Sequence, residues 1–403
     1  MPSIDFQIEH RLNGAPGRTG RLKTPHGEIL TPAFVVVGTQ AAVKGVAPWE
    51  LRDLGAQVVL ANTYHLYLRP GAELVAELGG LHRFMGWDGP LVTDSGGYQV
   101  FSLGFGLEHG VGKIVGMFPD EAPPSGQRPR RRRGQPARLT RIDEDGVTFT
   151  SHIDGSAQRL TPEDSIRVQE HLGADIILAF DEPTSPLHDE GYTAQALRRT
   201  HRWARRCLEA RTRRDQALFG IVQGGAFRGL REESAALIAS LPFDGFAIGG
   251  SLGKSKAEMQ AVLDWSVPAL PEERPRHLLG IGEPEDLFEC IERGIDLFDC
   301  VAPTRYARHG VLYTRGGKLN ITNAVYREDA EPIEAQCRCY TCANFSRAYL
   351  RHLFLADELL AYTLASIHNL YCIVRLVCDI RHAITHNRYV EFKRGWLAEP
   401  PLT

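Results

Sequence analysis

A chain of 403 residues is long enough for two or three domains, or for one α/β barrel with additions. Its apolar fraction of 43% is that of a soluble globular protein, and its start, MPSIDFQIEHR, has neither the basic flank nor the hydrophobic run of a secretory signal. The net charge of −3 excludes a uniformly basic protein, and no segment reads as long enough to span a membrane. Eight cysteines without such a signal point to a reducing compartment, where thiols serve packing, metal or chemistry, so the cytoplasm is the expected location.

In chain order, residues 1–32 read as an antiparallel hairpin region. Residues 33–302 then repeat one grammar, in which short β-branched or apolar runs end in Gly, Asp or Gln and lead into helix-like stretches. The runs are 33–37, 58–61, 91–94, 176–181, 218–223, 243–249, 277–281 and 295–301, with amphipathic segments at 162–172, 192–211, 230–241 and 284–293. This βα alternation predicts a parallel sheet closed into a (β/α)8 TIM barrel. An open doubly wound sheet is the competing topology, and it is disfavoured because no Gly-rich phosphate fingerprint follows the first run. The interval between the third and fourth runs is too long for one crossover. An insertion at about 100–160 is therefore expected, with antiparallel alternation around 146–150 and a solvated loop carrying Arg128 and the arginines 130–133.

Barrel enzymes hold their chemistry at the C-terminal ends of the strands, and the polar residues of this chain fall there. Asp94 ends the third run, Asp181 the fourth, Gln223 the fifth, Gly249 and Gly250 the sixth, and Asp299 lies near the end of the eighth. Period-two alternation places Asp181, Gln223 and Asp299 on inward faces, whereas Asp296 falls on the other face of its strand and reads as a strand-entry or helix-contact residue. One Asp at a strand end is as readily a helix cap as a catalyst. Carboxylates and an amide converging on one mouth point to a site.

Residues 303–403 hold the metal signature. Cys337, Cys339 and Cys342 lie within six positions, and His368 sits beside a helical stripe of Leu360, Leu364, Ile367, Tyr371 and Val374. Three thiols and one imidazole complete a tetrahedral set for one structural Zn2+ per chain, leaving no open position for substrate. The plainer alternative is three buried structural cysteines and a satisfied core histidine. From Asp299 to Arg394, thirteen Lys and Arg face nine Asp and Glu, so the tail is basic although the chain is not. Beside a zinc knuckle, such a patch favours a polyanionic partner such as RNA.

Five segments together resemble the tRNA-guanine transglycosylases (queuine tRNA-ribosyltransferases) of the bacterial type. They are Thr93-Asp94-Ser95-Gly96-Gly97-Tyr98-Gln99, Phe180-Asp181-Glu182, Ile221-Val222-Gln223-Gly224, Ala247-Ile248-Gly249-Gly250 and the stretch from Asp296 through Asp299 and Pro303 to Arg305. The cysteine cluster with His368 completes the pattern, and the resemblance runs over nearly the whole chain. It implies a barrel with a zinc subdomain that replaces guanine at the wobble position of tRNAs with GUN anticodons by a 7-deazaguanine base. By the same resemblance, Asp299 is the nucleophile at the ribose C1′ and Asp94 the general acid and base, as retaining glycosyl transfer requires. Asp181 suits the N1–H and N2–H2 donors of guanine, while Gln223 and the backbone N–H of Gly250 suit its O6, with Gly249 allowing close approach. Ser95 joins this substrate-binding set. Tyr98 and Leu279 occupy the positions that cover the two faces of the base, and Arg305 and Arg308 those that contact neighbouring nucleotides. A homodimer, cytoplasmic and without a membrane, is implied as well.

The stretch after the sixth strand departs from the bacterial pattern. It reads Gly249-Gly-Ser-Leu-Gly253-Lys254, where Gly-Gly-Leu-Ala-Val-Gly-Glu is common, and Pro183 stands where Cys is usual. The missing Val and Glu predict extra room near the incoming base. 7-Aminomethyl-7-deazaguanine (preQ1) is the leading base, and queuine in salvage the alternative. Readings of other classes are a noncatalytic RNA-binding paralogue, which would lose the carboxylates, and a carbohydrate-active barrel, which would need neither the guanine-reading set nor the zinc knuckle.

Overall fold

A computed structural model describes residues 3–101 and 140–398. The arginines at 128 and 130–133 expected in a basic loop lie outside the described residues. Eight strands form a closed barrel: β1 (Ala33–Val37), β2 (Val58–Ala61), β3 (Leu91–Thr93), β4 (Ile176–Leu178), β5 (Ala217–Val222), β6 (Gly245–Ile248), β7 (Arg276–Leu278) and β8 (Leu297–Cys300). They follow one another around the barrel in chain order, with β8 beside β1 and β3 beside β4, as the βα grammar predicts. Strands covered on both faces need continuous apolar runs, and Val35, Val36, Val58, Val59, Ile176, Ile177, Leu218, Phe219 and Leu297 have no exposed surface. At about 1.5–3 kcal/mol for each large apolar side chain, this burial is the main favourable term of the barrel.

The chain divides into two compact units. The first comprises Met1–Ile4, Asn62–Phe84 and Leu91–Leu279, and contains β3 to β7. Within it, the expected antiparallel insertion is a three-stranded sheet of Thr140–Ile142, Val147–Thr150 and Ala157–Leu160. The helix Pro162–Leu172 follows because its start is fully specified: Thr161 accepts from the Asp164 N–H, the Asp164 carboxylate returns to Thr161, and Pro162 needs no partner in the first turn. Gly173 ends it at φ +78°, a left-handed conformation that glycine adopts without strain.

The second unit comprises Asp5–Ala61, Met85–Pro90 and Gly280–Thr403, and contains β8, β1 and β2. Residues 5–31 form three antiparallel strands rather than a single hairpin. Asp296, at the entry of β8, takes two hydrogen bonds from Arg18 of this sheet, at 2.9 and 2.7 Å, with both side chains buried. It is thus a strand-entry residue that grips the N-terminal sheet rather than a helix. The helix Leu359–Thr385 corrects a second expectation, for its 27 residues include an 18-residue window of mean hydropathy 1.3, long and apolar enough to cross a membrane. It is a core helix here. Of that window 61% is buried within the fold, and Asn369 on it accepts from the Tyr313 N–H and donates to the carbonyls of Pro303 and Val311. His368, Asn369 and Arg375 interrupt the run, which is why it reads as shorter than it is.

Candidate active site

Within the first unit, the ends of β3 to β7 place Asp181, Ser95, Gln223, Gly249, Gly250 and Leu279 around one carboxylate. Asp181 is 5% exposed, and its Oδ1 accepts from Ser95 Oγ at 3.0 Å while its Oδ2 accepts from Gln223 Nε2 at 2.6 Å. Burial pushes its pKa up to about 6, against the two hydrogen bonds, and the nearby charge of Asp94 adds to the rise. Each carboxylate oxygen keeps a lone pair beyond these bonds, so two adjacent N–H donors of a planar ligand can be accepted together. Gln223 Nε2 keeps a second hydrogen, while its Oε1 is buried without a hydrogen-bond partner among the described residues.

Small residues make this space. Gly250 has φ +73°, and a Cβ built on it would fall 1.9 Å from Gln223 Oε1, so only glycine fits the conformation and the approach. A Cβ on Gly97 would lie 2.7 Å from the Asp181 carbonyl oxygen. One on Gly249 would lie 3.2 Å from Leu279 Cδ1 and 3.3 Å from Gln223 Nε2, so Leu279 flanks the same gap. Tyr98 is 60% exposed.

Asp94 follows β3 directly and is held by Asn62, Thr63 and Gln99, of which the sequence pattern drew attention only to Gln99. Its Oδ1 accepts from the Thr63 N–H at 2.8 Å, and its Oδ2 accepts from Gln99 Nε2 at 2.8 Å and from Asn62 Nδ2. The Thr63 hydroxyl donates to the Asp94 carbonyl in turn. Asn62 and Thr63 start the helix after β2, so the turn between strand and helix fixes a carboxylate from the next strand.

In the second unit, Asp299 stands on β8 in register with Val35 of β1, half-buried, with Oδ1 accepting from the Gly280 N–H at 3.3 Å. Burial pushes the thiol of the adjacent Cys300 up to about 12, so it stays protonated at neutral pH. The next helix, Ala302–Arg308, carries Arg305 and Arg308. Burial and then the charge of Arg305 lower the pKa of Arg308, and its Nη1 is buried without a hydrogen-bond partner among the described residues. Two guanidinium groups that repel each other suit an anion that would bridge them.

The expected metal ligands come together in the same unit. His368 Nδ1 lies 3.8, 3.5 and 3.4 Å from the Sγ atoms of Cys337, Cys339 and Cys342, and the four ligand atoms lie within 4.8 Å of one another. For sulfur and nitrogen on a tetrahedral ion at about 2.3 and 2.0 Å, the edge between them is about 3.5 Å, which these separations match. The other ring nitrogen, Nε2, meets the Tyr313 carbonyl at 2.7 Å, the usual second partner that orients a ligating imidazole. Four residues therefore fit a closed metal site, with Leu312, Leu350, Ala361, Leu364 and Ala365 packed beneath it.

Residues 13–112 and 133–401 match the family Queuine tRNA-ribosyltransferase. The chain belongs to that family. It is 52% identical to a protein of Archaeoglobus fulgidus over 98% of this chain and 100% of the other. It is 50% identical to the queuine tRNA-ribosyltransferase of Herpetosiphon aurantiacus, over 99% of this chain and 93% of the other, and 48% identical to that of a Roseiflexus species, over 98% and 99%.

The stretch that departs from the bacterial pattern is occupied rather than open. Gly253 has φ +99°, and a Cβ on it would fall 2.4 Å from both Cβ and Oε2 of Glu258. Glu258 Oε2 also accepts from the Lys254 N–H at 2.6 Å. The room expected from a missing valine is therefore filled by a carboxylate from the next helix, five positions along, which spacing alone does not reveal. Spacing also hides Arg231, a buried guanidinium in the helix Arg228–Ala239.

Proposed function

We propose that this chain replaces guanine at the wobble position of GUN-anticodon tRNAs, those for Asp, Asn, His and Tyr, with 7-aminomethyl-7-deazaguanine, as a step of queuosine biosynthesis. The observation that carries the reading is the buried Asp181 carboxylate, held by Ser95 and Gln223 beside a glycine-lined gap. Guanine offers N1–H and N2–H2 side by side to such a carboxylate and O6 to the second hydrogen of Gln223 and to the Gly250 N–H. Tyr98 and Leu279 then cover the two faces of the ring.

In this reading Asp299 attacks C1′ of the ribose, the bond to the guanine nitrogen breaks, and Asp94 supplies the proton that the departing base needs. Asp94 next takes a proton from the ring nitrogen of the incoming base. That nitrogen attacks C1′ and frees the Asp299 carboxylate, so two inversions give net retention and electrons balance without a redox cofactor. Arg305 and Arg308 hold phosphates of the flanking nucleotides. The Cys337, Cys339, Cys342 and His368 set holds one zinc ion, which stabilises its subdomain and takes no part in chemistry. A homodimer in the cytoplasm, one subunit acting while the other helps hold the tRNA, completes the proposal. Queuine as incoming base is the competing reading, in keeping with the name of the relatives, but the filled space at Gly253 favours the smaller base.

A denaturation-resistant protein–tRNA adduct tests the nucleophile. It forms in the wild type, is absent in Asp299→Ala, and persists in Asp296→Asn, which keeps an acceptor for Arg18. An adduct surviving in Asp299→Ala removes that residue from the role. Incorporation of labelled guanine into tRNA separates the enzyme from an RNA-binding paralogue and from a carbohydrate-active barrel, and steady-state comparison of preQ1 with queuine decides the base.

A further inference from the structure

Arg231 is fully buried, and it directs its donors at backbone carbonyls from two neighbouring strand ends. Its Nε donates to Gly225 O at 2.7 Å, Nη1 to Val222 O at 3.0 Å, and Nη2 to Gly249 O at 3.0 Å and Ser251 O at 2.8 Å. The acceptors bracket Gln223 on one strand end and Gly250 on the other. From the same helix, Ser234 Oγ accepts the Gln223 N–H at 3.1 Å. Gly224 packs against the helix so closely that a Cβ would meet the Arg231 backbone nitrogen at 2.9 Å.

A buried guanidinium with no carboxylate among these partners is an expensive feature, because desolvating a charge costs several kcal/mol unless local dipoles replace water. Four carbonyl dipoles do so here. An apolar residue would fill the volume without that cost, so volume alone does not account for a cation. What the guanidinium adds is geometry: its planar fork fixes the peptide planes at 222, 225, 249 and 251 relative to one another. Peptide planes either side of Gly250 fix where its N–H points, and glycine at φ +73° has little stiffness of its own.

We infer that Arg231 is a positioning residue for base recognition, locking the ends of β5 and β6 so that the Gln223 amide and the Gly250 N–H stay aimed at the O6 edge of the purine. It does not touch the base. The inference rests on the proposed guanine reading, and it adds a residue that acts only on the O6 side, leaving the Asp181 side and the Asp299 chemistry alone.

The test is labelled-base exchange into a cognate tRNA transcript with wild type, Arg231→Lys and Arg231→Gln, using guanine and 2-aminopurine, a purine that lacks O6 and with it N1–H, the latter loss being common to wild type and variants. In either variant the KM for guanine rises about tenfold or more, the equivalent of one bidentate polar contact, while kcat and the KM for tRNA stay within about threefold. The discrimination between guanine and 2-aminopurine shrinks by the same factor, since a base without O6 has nothing to lose. A residue that merely supports the fold gives another pattern: fewer active molecules, hence lower kcat, with the guanine KM and the discrimination unchanged. That pattern, in whichever variant folds, overturns the inference. If neither variant folds, exchange by the wild type in a guanidinium-competing denaturant series decides, since discrimination that survives until global unfolding also overturns it. Wild type that exchanges no guanine defeats the underlying reading, a distinct outcome.

Discussion

Asp181 meets two requirements that pull in opposite directions with pH. Its folded-state pKa of about 6 lies above the ordinary carboxylate value, chiefly through burial, so the folded protein holds this proton more tightly than the unfolded chain. Ionising it therefore lowers stability as pH rises from about 4 to 6, and the loss stays constant above that window. Recognition runs the other way, because only the ionised carboxylate accepts both N–H groups of guanine. We predict that the KM for guanine rises about tenfold per unit below pH 6 and is flat above it, and that Asp181→Asn removes this dependence along with most activity. Exchange of labelled guanine between pH 5 and 8 checks it, and a KM that stays flat down to pH 5 would show that Asp181 does not set the dependence. Asp181, Gln223 and Asp299 were legible in sequence because polar residues ending apolar runs stand out against the pattern. The donors on Asp94 were not, since Asn62 and Thr63 look like ordinary helix-start residues until the turn folds against β3. Arg231 was hidden for the same reason, as an arginine on an amphipathic helix is ordinarily solvated.

At the scale of elements, the sequence located strands and helices to within a few residues because their ends carry chemical punctuation. The Thr161-Pro162 start with Asp164 and the Gly173 stop define one helix, and the eight apolar runs were found as eight barrel strands. Strand ends are set too late, as in 176–181 against Ile176–Leu178, because the apolar run continues through Ala179 and Phe180, both buried, beyond the last strand residue. The metal set was legible from spacing, whereas its packing partners were not. His368 is fully buried, with one ring nitrogen toward the sulfurs and the other on the Tyr313 carbonyl. Cys339→Ser or His368→Ala should therefore lose metal and thermal stability together, since a structural zinc is worth about 10 kcal/mol or more, comparable to the whole stability of a domain. Metal analysis and calorimetry on the same samples decide. Full occupancy in both variants defeats the ligand assignment, and lost activity at unchanged stability argues for a catalytic metal.

At the scale of the molecule, the second unit is assembled from stretches far apart in sequence, and single side chains make the joins. Arg18 holds Asp296 across 278 positions, and the Tyr389 hydroxyl donates to the Phe288 carbonyl at 2.6 Å across 101. Arg381, near the end of the long core helix, donates to the carbonyls of Leu30 and Pro32 at 2.7 and 2.9 Å, immediately before β1. Local patterning cannot reveal such pairs, because each partner reads as an ordinary residue of its own element. The two arginine joins draw strength from the charge on the donor, and all three from the burial that removes water as a substitute. Burial lowers the pKa of Arg381, yet the group stays a cation at neutral pH. Arg381→Ala leaves two partly buried carbonyls without this donor, which predicts a loss of about 1.5–3 kcal/mol. Because Arg381 lies on the helix that also carries His368, amide exchange should rise both in residues 18–37 and in 359–385, while the KM for guanine stays unchanged. Exchange confined to the helix, with residues 18–37 as protected as in the wild type, would show that the N-terminal sheet is held by Arg18 and its own strands and that the Arg381 join contributes nothing to it.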